Sequence, residues 1–441
     1  MLRRLSSPVR ARPFQRFSQT EAAGGVLLLL SAALALALAN SPWSGAYEHL
    51  WSAPVTVSLP NRELSLTLRA WMNDGLMAVF FLLVGLEIKR QLVAGELSSP
   101  RQAALPIAGA LGGMILPAGI YLAINSSGPA VRGWGIPMAT DIAFALGALA
   151  LVAPRLPIGA KVFLTALAIA DDMGAVIVIA LFYTAAVDAT ALGFAALALG
   201  GLVALNMMRV MRLTPYLVLG VVLWFFVHES GIHSTIAGVA LALTIPTRTR
   251  INAAEFSAEG RKLLDEFDRT ETGDLLTLTS KGQQDALFAL GYASKGVIAP
   301  LVRLENALHS ISAFVIMPLF AFANSGITIG TSALDWRVVL GIVLGLVAGK
   351  PLGIFGSARA AVAAGAALPG NVHWKMLHGC AWLGGMGFTM SLFIATLAFE
   401  RTPLLDSAKV GIVAGSILAG VIGAVIIRAD RHGHRATTAD S

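Results

Sequence analysis

Three aspartates and one lysine lie inside long apolar stretches, where an ionisable side chain is costly. They are Asp141, the adjacent Asp171 and Asp172, and Lys350. An ionisable group at the centre of a bilayer costs on the order of 3 kcal/mol on insertion scales, so each of them is a candidate for function. A buried structural ion pair would explain one acid and one base, but it leaves two acids over. This imbalance favours carboxylates that bind and release ions.

Asp171 and Asp172 are neighbours, so their side chains point about 100° apart on a helix. We therefore expect one carboxylate to pair with Lys350 while the other faces an aqueous funnel. Poor solvation and a neighbouring like charge both favour the protonated carboxyl. A hard monovalent cation seeks the same oxygens, so a cation and a proton compete for one site. Such competition is the minimum chemistry for cation/proton exchange.

The residues around Asp141 predict a helix that breaks at mid-membrane. Pro137 lacks a backbone N–H, and Thr140 and Asp141 can bond the local backbone in place of the helix ladder. The stretch 376–399 has a second source of a break in its glycines at 379, 384, 385 and 387. Two interrupted helices in corresponding halves indicate a transporter site. Their broken ends carry partial charges that suit Asp141 at the N-termini and Lys350 at the C-termini.

These side chains must be positioned by helices that cross a membrane. Only 13% of the 441 residues are charged and 56% are apolar, whereas soluble proteins carry about a quarter charged residues. Apolar runs of about 20 residues cross the hydrocarbon layer as helices, so we predict an all-α, polytopic membrane protein of about 12 transmembrane helices. The predicted spans lie near 24–40, 72–88, 102–125, 134–153, 158–183, 189–208, 213–228, 231–247, 308–329, 336–358, 376–399 and 407–427.

The remaining segments set the predicted topology. The predicted divisions are a basic N-terminus (1–23), spans one to eight (24–247), a charged loop with short surface helices (248–305), spans nine to twelve (306–428) and a tail (429–441). Most of the 32 Lys and Arg residues lie on the side of both termini and of this loop, which predicts that all three are cytoplasmic. Cleavage of a signal peptide is disfavoured because losing the first span would reverse this bias.

Other sequence patterns argue against a zinc site, a disulfide bond and binding to nucleic acid. His228 and His233 are five residues apart, about 140° round a helix, whereas the zinc-protease pattern places its histidines four apart. Cys380 is the one cysteine, so no intrachain disulfide is possible. The net charge of +7 lies in loops without interleaved aromatic residues, which argues against nucleic acid as a partner. We expect no cofactor.

Seven motifs, spread in order from about residue 17 to 428, resemble those of the bacterial sodium/proton antiporter family typified by NhaA. They are Asn73-Asp74 leading into Phe80–Arg90 (FFLLVGLEIKR), Ala139–Gly147 (ATDIAFALG), Ala168–Asp172 (AIADD), Gly231–Gly238 (GIHSTIAG), Pro318–Asn324 (PLFAFAN), Gly349–Gly353 (GKPLG) and Gly387–Ser391 (GFTMS). The resemblance implies a fold of inverted repeats in which the interrupted spans four and eleven cross.

The resemblance also implies a function, that of a secondary active transporter rather than an enzyme. Such a protein exports Na⁺ or Li⁺ across the bacterial inner membrane in exchange for two protons, electrogenically and under pH control. By position, Asp171 and Asp172 would carry the cation and the protons, and Lys350 would pair with Asp171. Asp141 and Thr140 would lie at the crossing. Na⁺, Li⁺, H⁺ and the lipid bilayer are the implied partners, and a homodimer is left open.

The resemblance ties four further positions to pH regulation, and they are Glu87, His233, Glu305 and His309. Two residues depart from the family pattern. Gln91 stands where an acid is often found, and Asn306 where a histidine occurs in relatives. The expected transport core is unaffected by these departures, but they leave the pH profile open.

Three other functions are weaker alternatives. A channel with a ring of carboxylates would not need the buried Lys350. An intramembrane aspartyl protease needs two aspartates on facing helices, whereas Asp171 and Asp172 share one segment. A transporter of organic anions would need more buried base than one lysine.

Overall fold

The computed structural model describes residues 13–439 except 60–61, 153–156, 185–186, 270–280, 329–333, 371 and 401. Parts of all five predicted divisions therefore lie outside the described residues: 1–12 of the basic N-terminus, 270–280 of the charged loop, 440–441 of the tail, and the remaining gaps within the two groups of spans.

The described chain is mostly helical. Its first half contains α1 (Pro13–Ala39), α2 (Ser44–Ser52), β1 (Pro54–Leu59), β2 (Arg62–Thr67), α3 (Leu68–Ala70), α4 (Met77–Ala94), α5 (Pro100–Ile124), α6 (Ile142–Val152), α7 (Ile158–Phe182), α8 (Ala189–Met207), α9 (Leu213–Glu229) and α10 (Thr235–Thr244). Its second half contains α11 (Ala253–Arg269), α12 (Lys281–Val297), α13 (Pro300–Ile311), α14 (Met317–Asn324), α15 (Trp336–Leu344), α16 (Lys350–Ala363), α17 (Trp374–Leu383), α18 (Phe388–Ala398) and α19 (Leu404–Ala439). Single π-helical turns join α3 to α4, α13 to α14 and α15 to α16.

Six helical stretches in the described part of the chain are long and apolar enough to cross a bilayer, and the number rises to nine if each of three bent helix pairs is one span. This agrees with the predicted helical membrane fold. The three other predicted spans fall on α4, α9 and α10. At 10 residues, α10 is about 15 Å long, half the thickness of the hydrocarbon layer. The count of 12 spans stays a prediction.

Glycine contacts bring together the helices that frame the site. A Cβ atom on Gly353 of α16 would lie 2.1 Å from the carbonyl oxygen of Gly112 on α5. On the other side of the molecule, a Cβ atom on Gly238 of α10 would lie 2.2 Å from the carbonyl oxygen of Ala78 on α4. Lipid supplies no hydrophobic drive for helices to associate, so small residues that allow close packing are what hold such pairs together.

Two features differ from the sequence-based expectation. The strands β1 and β2 form an antiparallel hairpin, with Pro54 opposite Thr67, so the described chain is not purely α-helical. Its alternating apolar and polar residues are a strand pattern, but the hairpin is too short to stand out among long apolar runs. The helix that contains span nine also begins earlier than residue 308, because Pro300 starts α13 as a first-turn proline.

Candidate functional site

The two predicted helix breaks are present, and they meet. A 3₁₀ helix, Pro129–Met138, is followed by extended backbone at Ala139, and the chain turns by 42° before α6 begins. The break between α17 and α18 bends the chain by 43°. The backbone N–H of Asp141 donates to the carbonyl oxygen of Met386 at 2.7 Å, which ties one break directly to the other.

Asp141 caps two helices at once. Its Oδ1 accepts a hydrogen bond from the N–H of Phe144 at 3.0 Å, at the start of α6. Its Oδ2 accepts from the N–H of Thr389 at 3.1 Å, at the start of α18, and from the hydroxyl of the same threonine. Asp141 is fully buried. A carboxylate is stabilised at a helix N-terminus by the unpaired N–H groups and the helix dipole, and here one carboxylate serves two such ends.

Lys350 lies between the broken helices and α7. Its Nζ donates to Asp171 Oδ2 at 2.5 Å and to Thr140 Oγ1 at 2.8 Å. The Thr140 hydroxyl in turn donates to the carbonyl oxygen of Gly384 at 2.7 Å, just beyond the end of α17. The lysine therefore reaches the C-terminal end of a broken helix through the Thr140 hydroxyl. Lys350 and Asp171 are each at most 2% exposed.

Asp171 and Asp172 point to different surroundings. Asp171 is the partner of Lys350, whereas Asp172 lines a cavity. Asp172 Oδ1 is buried and accepts no hydrogen bond from the described residues, and the same is true of Asp171 Oδ1. Among the described residues, the site thus contains one carboxylate in a salt bridge with Lys350 and one, Asp172, that forms no salt bridge.

The cavity has a volume of about 370 Å³ and connects most of the predicted residues. Its ionisable and hydroxyl-bearing lining residues are Glu87, Arg90, Asp141, Thr165, Asp172, Glu305, His309, Ser310 and Ser312. Arg90 Nε donates to both carboxylate oxygens of Glu305, at 2.9 and 3.0 Å. The Arg90 side chain is 40% exposed, so this pair marks the end of the cavity nearest to water.

His233 lies apart from the other residues that were tied to pH regulation. Glu87, Glu305 and His309 all line the cavity, but His233 does not. Its neighbour Ser234 donates to the carbonyl oxygen of Asp74, at the opposite end of α4 from Glu87. Thirteen residues of helix separate Asp74 from Glu87, a length of about 20 Å.

Sequence reasoning did not single out three residues that complete the site. Thr389 donates hydrogen bonds to Asp141 Oδ2 from both its backbone N–H and its hydroxyl. Ser391 Oγ donates to the carbonyl oxygen of Ile136, which the first break leaves without a helical partner. Arg90 lies near the end of a helix, where a basic residue is ordinary, so nothing in the sequence marked it as the partner of Glu305. The sequence signal for Thr389 and Ser391 was their position just after the glycine-rich break, at the start of a new helix whose first N–H groups need hydrogen-bond partners.

Known proteins resemble this chain over almost its whole length. The family described as Na⁺/H⁺ antiporter 1 matches residues 15–427. The Na(+)/H(+) antiporter NhaA of Oleidesulfovibrio alaskensis is 49% identical over 422 residues, covering 94% of this chain and 93% of that protein. The Na(+)/H(+) antiporter NhaA of Nitrobacter hamburgensis is 47% identical over 441 residues, covering 98% and 96%.

A solved structure shares the fold at low sequence identity. The sodium proton antiporter MjNhaP1 from Methanocaldococcus jannaschii, determined at pH 8, matches with a TM-score of 0.50 and 13% identity. The match covers 94% of this chain and 96% of that one.

Proposed function

The chain belongs to the Na⁺/H⁺ antiporter 1 family, and from that premise we propose how its buried carboxylates exchange the two ions. The chain is an integral membrane Na⁺/H⁺ antiporter, a transporter rather than an enzyme, and Na⁺ and H⁺ are its transported ions. The site residues, the order of binding and the topology are the parts that we propose.

Asp172 is the carboxylate that takes Na⁺ and H⁺ in turn. The observation that carries this assignment is the division of roles on α7: Lys350 forms a salt bridge with Asp171, while Asp172 lines the cavity and has no salt bridge to a described residue. With both acids ionised and the lysine charged, the trio has a net charge of −1. Either a proton or a sodium ion brings this charge to neutrality. Binding of one ion at Asp172 therefore disfavours binding of the other, and the two exchange.

The Asp171–Lys350 pair supplies the second proton. In the protonated state Asp172 holds one proton, the lysine is an ammonium, and the trio is neutral. When Na⁺ binds between the two aspartates, the unbonded Oδ1 of Asp171 turns to the metal, and the lysine loses the contact that held its charge. Lys350 then releases a proton. Two protons leave as one Na⁺ enters, which makes the cycle electrogenic.

The two broken helices link ion binding to the opening of the site on alternate sides of the membrane. Asp141 joins α6 to α18, and Thr140 joins Lys350 to the end of α17, so ion binding at α7 is transmitted to both breaks. We propose that tilting of these half-helices closes the cavity and opens the opposite side. Inverted repeats, with spans four and eleven as the crossing pair, would provide the symmetry that such alternating access requires.

The predicted topology gives this cycle its direction. Twelve spans, with both termini and the 248–305 loop on the cytoplasmic side of the bacterial inner membrane, place the Arg90 end of the cavity towards the cytoplasm. Na⁺ is then collected from inside and exported as protons enter. Li⁺, which has the same charge and also seeks oxygen ligands, is expected as a second substrate. A homodimer fits the arrangement but is not required by it.

Two separate groups are proposed to govern the response to pH. Glu87, Glu305 and His309 line the entrance to Asp172 and would change the charge that an entering cation meets. His233 is near the other end of α4 and would act on the outer side of the site. Gln91 is buried, and its Oε1 accepts from the N–H of Glu96, a local structural contact.

Everted membrane vesicles with an imposed proton gradient test the proposal. Adding Na⁺ or Li⁺ should collapse the gradient in vesicles with the unaltered chain, while K⁺ should not. Asp172→Asn keeps the shape of the side chain but cannot cycle a charge, so the response should vanish. Glu63→Gln, on the exposed hairpin strand β2, is the matched acid-to-amide control and should respond like the unaltered chain. If Asp172→Asn retained Na⁺-driven collapse, the exchanging site would lie elsewhere.

A further inference from the structure

The helices α11 and α12 form a hairpin that has two unlike surfaces. On α11, the half-buried residues Phe256, Leu263 and Phe267 follow helical spacing along one face, together with the buried Gly260. A Cβ atom on Gly260 would lie 3.8 Å from Leu290 of α12, which places this face against α12. This apolar face of α11 therefore packs within the hairpin, although Leu264 beside it is 52% exposed.

The outward face of α12 is apolar and aromatic. Leu287, Phe288 and Tyr292 lie on one side of the helix and are 49, 78 and 63% exposed. Ile298, just after the helix, is 44% exposed. Two large aromatic rings and Leu287 on one side of α12, with the exposed Ile298 just after the helix, form a patch of the kind that marks an interaction site. We call Leu287, Phe288, Tyr292 and Ile298 the α12 patch.

Charge is distributed unequally between the two sides of the hairpin. Arg250 Nη1 donates to the hydroxyl of Tyr292 at 2.6 Å, its guanidinium carbon lies 5.7 Å from the centre of that ring, and Lys281 is exposed at the start of α12. Asp285 is the single acid in the sequence of α12. The exposed charges of α11 are five acids against three bases: Glu255, Glu259, Asp265, Glu266 and Asp268, with Arg261, Lys262 and Arg269. Arg250, Lys281 and Asp285 therefore border the α12 patch, a net charge of +1, while the exposed charges of α11 sum to −2.

The α12 patch is also tied to the bilayer. Only Ile298 and Ala299 separate α12 from α13, and α13 is the first part of the bilayer-crossing helix Pro300–Asn324. The 17 residues of α12 span about 25 Å. The two-residue link, which includes Ile298, holds the C-terminal end of α12, which carries Tyr292, near the end of that span.

We propose that the α12 patch rests on the phospholipid surface of the bilayer in which the protein is embedded. Phe288 and Tyr292 would insert at the level of the headgroups, where amphipathic rings are favoured. Arg250 and Lys281 would contact anionic headgroups, each contributing about 1 kcal/mol near a negative surface. The acidic face of α11 points the other way, towards water. Glu305 and His309 lie on α13 and line the cavity, so contact of α12 with the bilayer would help to hold these two residues in position.

Spin-label accessibility in the full-length chain tests the proposal. On a Cys380→Ala background, which removes the one native thiol, a nitroxide is attached through Phe288→Cys in nanodiscs of phosphatidylglycerol. Asp265→Cys, on the far face of the hairpin, is the matched control. Collision with lipid-soluble oxygen relative to a water-soluble nickel chelate should be several-fold higher at position 288 than at position 265. Na⁺-driven proton release by each labelled protein verifies its fold.

Three results would overturn the proposal or support it further. Equal nickel access at 288 and 265 would place the α12 patch in water and refute the contact. A label at 288 that is shielded from both reagents would show a protein occupant, a second copy or another chain, and would also refute it. In phosphatidylcholine nanodiscs the oxygen preference at 288 should fall, and the double variant Arg250→Gln, Lys281→Gln should lose this dependence on lipid charge.

Discussion

Replacing Lys350 by methionine removes the cation from an ion pair whose two side chains are each at most 2% exposed. Breaking a buried pair by deleting one partner costs about 3–5 kcal/mol, because the other charge is left unpaired. The substitution also removes the hydrogen bond to Thr140, worth about 1 kcal/mol. We expect Lys350→Met to lower the free energy of unfolding by about 4–6 kcal/mol on these two terms.

The double variant Asp171→Asn, Lys350→Met separates charge from packing. It removes both charges and keeps the volume, and neutral replacements of a buried pair are often as stable as the pair itself. Only the loss at Thr140 should persist, so the double variant should lie within about 1–2 kcal/mol of the unaltered chain. It should be more stable than either single variant.

Denaturant unfolding of the purified chain in detergent micelles measures these differences, with the transition midpoint and slope recorded for all four members of the cycle. A coupling energy of about 3 kcal/mol or more is expected between the two positions. If the single effects simply add, so that the double variant is the least stable, the pair does not act as a buried ion pair and its proposed part in proton release is wrong.

Other predictions follow from the cavity entrance and from the helix contacts. Glu87→Gln should raise the apparent KM for Na⁺ about two- to threefold at low ionic strength, and Arg90→Gln should lower it similarly by freeing the charge of Glu305, with both effects shrinking in high salt. Initial rates in everted vesicles check both. Gly238→Ala should cost about 1–3 kcal/mol of unfolding free energy, because its new methyl group meets the backbone of α4. Gly193→Ala should be neutral or stabilising by up to about 1 kcal/mol in the same unfolding assay, because no described atom outside its own helical turn lies within 4 Å of the new methyl group.

Local chemistry explains which parts of the site were predictable. The break before α6 could be predicted from Pro137, Thr140 and Asp141, because a missing N–H and two short polar side chains disrupt the helix within a single turn. The divergence of Asp171 and Asp172 follows from helix geometry alone. The apolar runs predicted where helices lie, and a helix is present at each predicted span. A segment in lipid must form its backbone hydrogen bonds internally, which favours a helix.

Contacts between distant segments were beyond the sequence. Thr389 and Asp141 are separated by 248 positions and Arg90 and Glu305 by 215, so their pairing depends on how helices pack rather than on any local pattern. The family resemblance implied roles for both His233 and Glu305, but not that His233 lies near Asp74 while Glu305 lines the cavity with Glu87. The partial charge of a helix C-terminus suits Lys350, but the Thr140 hydroxyl that links the two is a contact between distant segments and could not be predicted from local sequence.

The central claim is that one carboxylate, Asp172, binds Na⁺ and protons in competition. Na⁺ binding to the purified chain in lightly buffered solution, followed by calorimetry and by the protons released, measures this most directly. The apparent Kd for Na⁺ should rise by about tenfold for each unit of falling pH where one proton competes, and by up to about a hundredfold where two do. Asp172→Asn should neither bind Na⁺ nor release protons. A Kd that did not change with pH, or an Asp172→Asn variant that still released protons on adding Na⁺, would contradict the account.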